Sequence, residues 1–210
     1  MMLLWCRLNL NAMKAIRLFW ISLFLFTPVH FLPAQTLTYT VELLGMHTGD
    51  MVLNKFSNGQ GVLRFTMHTS ADVNYLFGRI TASFDSDIRY KDGRIYFAQA
   101  KNVRNGEKGR FSELRCSASG CEVETNRGKA TLRTNPSWCI ARLFFEEPLK
   151  ETEVYSEDWG QILTLKKIGA GRYQVNIPGD KPNEYRYESG RMVELITHTS
   201  IGKARVLLKR

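Results

Sequence analysis

Strict alternation of polar and apolar residues is the feature that most constrains how this chain folds. It is clearest in TLTYTVEL (residues 36–43) and in VLRFTMHT (residues 62–69). Successive side chains of a β-strand point to opposite faces, so this pattern predicts antiparallel strands with one buried face and one solvated face. The apolar positions of the two segments are Leu37, Tyr39, Val41, Leu43, Leu63, Phe65 and Met67.

Turn signals separate such segments along residues 35–210. Gly45 and Gly49 predict a turn after the first strand, and Asp92-Gly93 in YKDGR is a strong hairpin signal. Twelve to fourteen short strands with hairpin turns predict an all-β fold, an antiparallel meander that forms a large curved sheet or an open barrel. No linker and no strand-helix-strand alternation interrupts the pattern, so residues 35–210 are expected to form a single β domain.

One segment departs from the alternation and predicts a short helix near residues 136–147. It reads SWCIARLFFEEP over residues 137–148. Asn135 is a suitable N-cap, Pro136 suits the first helical position, and Pro148 stops the helix. Apolar residues at spacings of three and four predict a buried helical face that closes the sheet; they are Trp138, Ala141 and Phe145.

The reactive residue types in this segment favour structural roles over catalysis. Glu146 and Glu147 are adjacent, so on a helix their side chains diverge by about 100° and do not converge on a substrate. Acidic residues also interact unfavourably with the negative end of a helix dipole. Glu147 is therefore expected to have a local partner, such as an arginine or backbone amides. Cys139, between Trp138 and Ile140, is interpreted as an inert buried thiol.

The N-terminus predicts a helical signal peptide over residues 1–34. Lys14 and Arg17 precede the uncharged apolar stretch LFWISLFLFTPVHFLPA, which ends at the small residue Ala34. This order is typical of a secretory signal that is cleaved, here between Ala34 and Gln35. The alternative is an uncleaved membrane anchor, but the uninterrupted apolar core is shorter than the roughly 20 residues that a span needs.

We interpret residues 1–12 as a start-site artefact, because Met13 opens MKAIRLFWISLFLF, which has the proportions of a complete signal peptide. Cleavage would place the protein in the periplasm of a Gram-negative bacterium or outside the cell. Its only contact with the membrane would then be through the signal peptide.

Two cysteines predict a disulfide that suits such an oxidising location. Cys116 and Cys121 flank the turn-forming residues SASG, so they are expected to face each other across a hairpin. The sequence has no second cysteine pair to complete a zinc site, which favours the disulfide over a metal site.

Charge and motifs exclude several functional classes. The full chain has a net charge of +9, but its basic residues are scattered and form no stripe, so we expect no nucleic-acid partner. The sequence contains no nucleophile-elbow, phosphate-loop or metalloprotease motif. His47, His68 and His198 lack the spacing of metal ligands. We therefore expect no enzymatic activity, no metal and no cofactor.

Several segments of the sequence resemble a family of exported bacterial proteins. They are YTVELLGMHTGDM, YKDGRI, ARLFFEEP and EYRYESGRMVELITHTSIGKARVLL. The chain resembles the family domain of unknown function 6134, which is related to domain of unknown function 3108. The resemblance implies an exported, mostly β protein of Bacteroidota-type bacteria, and it supplies no catalytic residues. The matched positions are turn, cap and core types: Gly45, Gly49, Asp92, Gly93, Phe145, Glu147, Pro148 and Glu194.

Two functional hypotheses remain. A binding or carrier module would hold a lipid or another hydrophobic small molecule on its apolar face. A cell-envelope structural or interaction protein would pair exposed sheet edges with an unknown protein partner. One short helix cannot cover a dozen strands, so either side chains fill the interior or a cavity opens near the helix. The candidate ligand-facing residues are Leu37, Tyr39, Val41, Leu63, Phe65, Met67 and Trp138.

Overall fold

A computed structural model describes residues 34–58, 61–75, 78–199 and 202–210, and for Tyr75 it describes only the backbone. Residues 1–33 of the predicted signal peptide lie outside these ranges. Within them, the chain forms fourteen β-strands and one short α-helix.

The first eight strands precede the helix in the chain, and the remaining six follow it. The first group comprises β1 (Gln35–Leu43), β2 (Met46–Ser57), β3 (Val62–Tyr75), β4 (Gly78–Lys91), β5 (Arg94–Arg104), β6 (Glu107–Ser117), β7 (Gly120–Thr125) and β8 (Gly128–Leu132). Helix α1 (Ile140–Leu143) follows. The second group comprises β9 (Glu153–Ser156), β10 (Gln161–Gly169), β11 (Arg172–Val175), β12 (Asn183–Glu188), β13 (Arg191–Thr199) and β14 (Gly202–Leu208).

All fourteen strands belong to one antiparallel sheet, as the alternation predicts. Its order is β8-β7-β6-β5-β4-β3-β2-β1-β14-β13-β12-β11-β10-β9. Strands that are consecutive in the chain are therefore neighbours in the sheet, except β8 and β9, which form its two edges. The first and last strands, β1 and β14, also pair with each other. The prediction of an antiparallel meander that forms a curved, open sheet is confirmed.

Side chains bring the two ends of the sheet together. The turn between β9 and β10 packs against β6, where the Ser112 hydroxyl donates a hydrogen bond to the Glu157 carbonyl. Arg110 on β6 donates from Nε to the Asp158 carboxylate at 2.8 Å and stacks over the Trp159 ring at 4.6 Å. The sheet thus curls around its apolar face, which we call the concave face.

The helix is shorter than predicted. It covers only Ile140–Leu143 and begins after Cys139, so neither Asn135 nor Pro136 lies at its start. The residues before it are extended and pair with strands: the Pro136 carbonyl accepts from the Ile95 amide at 3.0 Å. Backbone pairing with the sheet outweighs the local helix signals here. The helix also ends before Pro148, which therefore does not stop it.

The predicted turn at Gly45 and Gly49 is half right. Leu44 and Gly45 form the β1–β2 turn with positive φ angles, whereas Gly49 lies inside β2. A Cβ on Gly49 would lie 1.9 Å from the Ser70 carbonyl oxygen, so close approach of β3 requires glycine at this position. Asp92 and Gly93 form the β4–β5 turn, also with positive φ.

Candidate functional site

The segment of residues 136–147, which we call the plug, packs against one half of the concave face. Its aromatic rings meet strand residues edge to face, with ring centroids 5.3 Å apart for Phe144 and Tyr39. Phe145 packs against Phe65 with centroids 5.4 Å apart. Tyr39 also donates a hydrogen bond from its hydroxyl to the Met192 carbonyl at 3.0 Å. We call this half of the face the plugged half.

A buried carboxylate fixes the start of the helix. Glu157 is 2% exposed, and its two oxygens accept hydrogen bonds from the amides of Ile140 at 3.1 Å and Ala141 at 2.9 Å. Burial raises the pKa of Glu157 to about 7, although these hydrogen bonds favour the charged form. Sequence reasoning missed Glu157, because nothing local links a turn residue to amides sixteen and seventeen positions away.

Cys139 is a free, fully buried thiol next to this carboxylate. Burial raises the pKa of its thiol, and the charge of Glu157 adds to the effect. A thiol without thiolate character is a poor nucleophile, so this geometry agrees with a packing role.

The two adjacent glutamates of the plug have different partners. Glu146 accepts from Lys55 at 2.6 Å and from Arg142 at 2.7 Å, and these ion pairs outweigh burial and lower its pKa. Glu147 accepts from the Tyr173 hydroxyl at 2.9 Å. The expected arginine therefore pairs with Glu146, and the partner of Glu147 is a tyrosine from β11.

Most of the candidate ligand-facing residues belong to the main core cluster or pack against it. Leu37, Tyr39, Phe65 and Met67 are buried in the main core cluster, and Leu63 and Trp138 pack against that cluster. The interior near the helix is thus filled with side chains. A cavity of about 180 Å³ beside Trp138 is lined mainly by polar residues, so it does not match the expected apolar cavity near the helix.

The apolar cavity lies instead at the other end of the same strands. It has a volume of about 220 Å³ and lies near the β1–β2 turn, the end of β13 and the start of β14. Val41 is the one predicted ligand-facing residue that lines it. We call this part of the concave face the open half; its apolar lining residues are Val41, Leu43, Ala71, Val73, Ile80, Ala82 and Ala204.

Side-chain size explains why this end stays open. On β4 the concave positions carry Tyr90 and Ile88 under the plug, but Ala82 and Ile80 in the open half. Short side chains on β3, β4 and β14 leave space that no part of the plug reaches. The sequence does contain a signal for this cavity, because the alternating pattern places alanines at inward positions of these strands. It carries no information, however, about how far the plug extends.

The β1–β2 turn, which follows the cavity-lining residue Leu43, exposes two large apolar side chains. Leu44 and Met46 at the β1–β2 turn are 63% and 54% exposed. Leu44 has a φ of 53°, a conformation that disfavours a branched apolar residue. A Cβ on Gly202 would lie 2.6 Å from the Leu44 side chain, so glycine makes room for it. Arg104, at the end of β5, lines the cavity itself and is exposed, so it lies at the mouth of the cavity.

The remaining polar candidates are accounted for elsewhere in the sheet. Cys116 and Cys121 form the predicted disulfide. On the outer face, His68 contacts Asp85 at 2.7 Å. The described residues contain no group of His, Cys, Asp and Glu side chains that could hold a metal ion. No helix among them is long and apolar enough to cross a membrane.

Comparisons with known proteins place the fold and the family. No curated protein matches the chain. Its structure is similar to the beta-barrel-like protein of domain of unknown function DUF1849 from Brucella abortus, with a TM-score of 0.51 and 11% identity over 87% of this chain and 98% of that chain. At this identity, the likeness concerns the fold alone.

A family model described as Domain of unknown function (DUF6134) matches residues 39–209, which include every strand from β2 to β14 and most of β1. The relation to domain of unknown function 3108 stays a prediction. The predicted resemblance is confirmed, and the chain belongs to the family of domain of unknown function 6134.

Proposed function

We propose that this protein is a non-catalytic binding or carrier module for a hydrophobic small molecule or lipid. The observation that carries the proposal is the apolar cavity of about 220 Å³ in the open half. Binding sites for small molecules are concave and mostly apolar, with a few polar groups at fixed positions. The cavity fits this description, because alanine, valine, leucine and isoleucine side chains line it and Arg104 lies at its mouth.

The proposed location is the periplasm or the exterior of the cell, reached by means of the N-terminal signal peptide. The Cys116–Cys121 disulfide supports this location, because disulfides persist in oxidising compartments. A carrier in the cell envelope would meet hydrophobic molecules that have to cross an aqueous space, and an apolar cavity shields such molecules from water.

The test is a titration of the purified protein with N-phenyl-naphthylamine, a neutral dye that fluoresces in apolar surroundings. We expect saturable binding by the wild type and weaker binding by Ala82→Met, because the longer side chain fills the cavity. Thr81→Met is the matched control, since Thr81 precedes Ala82 on β4 and points to the opposite face. Equal binding by all three proteins would contradict the proposal.

A second candidate function, that of an envelope interaction module, is favoured by edge strand β8. Four of its five residues are exposed, and its outer backbone edge pairs with no described strand. An extended segment of a partner protein could add to this edge by β-augmentation. Thr131→Pro would block such pairing, because it removes a backbone donor from the outer edge of β8, and it would leave dye binding unchanged. If an envelope protein cross-links to the wild type and to Ala82→Met but not to this variant, the second function is favoured.

A further inference from the structure

A single guanidinium lies at the mouth of the apolar cavity. Arg104 is the last residue of β5, is exposed, and lines the cavity. In the strand register it is opposite Ala82, another lining residue. Opposite residues of an antiparallel pair point to the same face, so Arg104 belongs to the concave face and not to the solvated outer face.

Arg104 also differs from the arginines of the outer face in lacking an anionic partner. Arg64 pairs with Asp87 and Arg79 with Asp72, whereas Arg104 forms no ion pair within the described ranges. The residues outside those ranges include no Asp or Glu. The nearest candidate in the register is Glu107, directly across the β5–β6 hairpin, and it forms no ion pair with Arg104.

We propose that the cavity binds a fatty acid, with the acyl chain on the apolar lining and the carboxylate paired with Arg104. This inference rests on the proposed function, since it names the chemical class of the molecule bound in the same cavity. The planar guanidinium presents a fork of N–H donors that matches both oxygens of a carboxylate. The arrangement separates the two parts of an amphiphile, with the chain inside and the charged group at the mouth.

Volume and charge select a fatty acid over a larger or more highly charged lipid. The cavity, at about 220 Å³, is smaller than the roughly 300–1,000 Å³ of sites that enclose a drug-sized molecule, so it suits part of a single chain. A phosphate monoester carries a charge of about −1.5 to −2 at neutral pH. Glu107, across the hairpin, adds a negative charge near the mouth that repels a dianion more than a carboxylate.

The test uses displacement of bound N-phenyl-naphthylamine at pH 8 by three competitors of equal chain length: decanoate, decanol and decyl phosphate. Arg104→Met should weaken decanoate binding by about tenfold, the loss expected for one charged hydrogen-bonded pair, without weakening decanol binding. Arg104→Lys should retain part of the decanoate affinity. Lys108→Met is the control, because it removes the same charge from an exposed position of β6.

Each outcome decides between specific alternatives. Equal decanoate affinity in the wild type and in Arg104→Met, with decanol still binding, would overturn the carboxylate assignment and leave the proposed function intact. Tighter binding of decyl phosphate than of decanoate by the wild type would also overturn it, in favour of a phosphate head group. Absence of dye binding by the wild type would overturn both this inference and the proposed function.

Discussion

The plugged half and the open half of the concave face share strands β1, β3 and β4 but differ in how their apolar side chains are covered. Under the plug, Phe65 and Tyr185 contact the aromatic rings of Phe145 and Phe144, and Ile88 is buried in the same core cluster. In the open half, Ala82 and Ala204 leave a cavity of about 220 Å³. The comparison teaches that a continuous strand pattern can give a filled interior at one end and a cavity at the other, because inward side-chain size changes along a strand.

The sharpest test of this difference compares the same truncation at two positions of β4. Ile88 is fully buried in the plugged half, and Ile80 lines the cavity of the open half. Ile88→Ala should lower the free energy of unfolding by about 4 kcal/mol, and Ile80→Ala by only about 1 kcal/mol, because a side chain beside a cavity has fewer contacts to lose. Urea unfolding measures both. Equal losses would show that the two halves are packed alike.

The buried carboxylate makes the plugged half sensitive to pH. The pKa of Glu157 is raised from 4.5 to about 7 in the folded protein, so its stabilising contribution is complete below pH 4.5 and is lost as the pH rises through 7. The change amounts to about 3 kcal/mol. Glu157→Gln removes the titrating group and keeps an acceptor for the helix amides. In urea titrations from pH 4 to pH 8, we expect the free energy of unfolding of the wild type to fall by this amount relative to that of the variant. A difference between the two proteins that does not change with pH would refute the role.

The disulfide lies at the turn between β6 and β7, outside the open half. Replacing Cys116 and Cys121 together by serine should lower the free energy of unfolding by about 2 kcal/mol, because the closed loop is short. Dye binding should remain unchanged. Thermal unfolding with and without reductant gives the stability loss, and a wild type that does not respond to reductant would contradict this prediction.

Added volume should act in opposite ways in the two halves. Ala98→Met inserts a long side chain into the buried cluster of the plugged half and should cost about 1–2 kcal/mol through overpacking. Ala82→Met inserts the same side chain into the cavity and should leave stability unchanged or raise it slightly. Differential scanning calorimetry compares the two variants, and a larger loss for Ala82→Met would indicate that the open half has no spare volume.

The smallest effects concern the charged end of the plug. Glu146→Gln removes two partly exposed ion pairs, with Lys55 and Arg142, and should cost about 1 kcal/mol or less. Glu147→Gln should cost less still, because the amide oxygen can accept from Tyr173 as the carboxylate does. A larger loss for Glu147→Gln would show that the charge of Glu147 contributes more to stability than that of Glu146. Chemical unfolding of both variants, with the double variant, separates the two contributions.

The sequence alone determined those properties that depend on local pattern. Alternation in residues 36–43 specifies a strand with one apolar face, because side chains of an extended chain alternate whatever surrounds them. Asp92 and Gly93 specify a tight turn, because both residues tolerate positive φ. The pairing of Cys116 with Cys121 follows from their positions on the two arms of one hairpin. From such local rules, the all-β antiparallel architecture could be predicted.

Only the tertiary structure decided the features that join distant parts of the chain. The helix begins at Ile140 because the residues before it pair with strands and because Glu157, from a later turn, binds its amides. The apolar cavity lies at the end of the concave face that the plug does not reach, so its position depends on where a separate segment docks. Arg104 reads in the sequence as one scattered base among many. Only the folded sheet places it opposite Ala82 and beside the other apolar lining residues of β1, β3, β4 and β14.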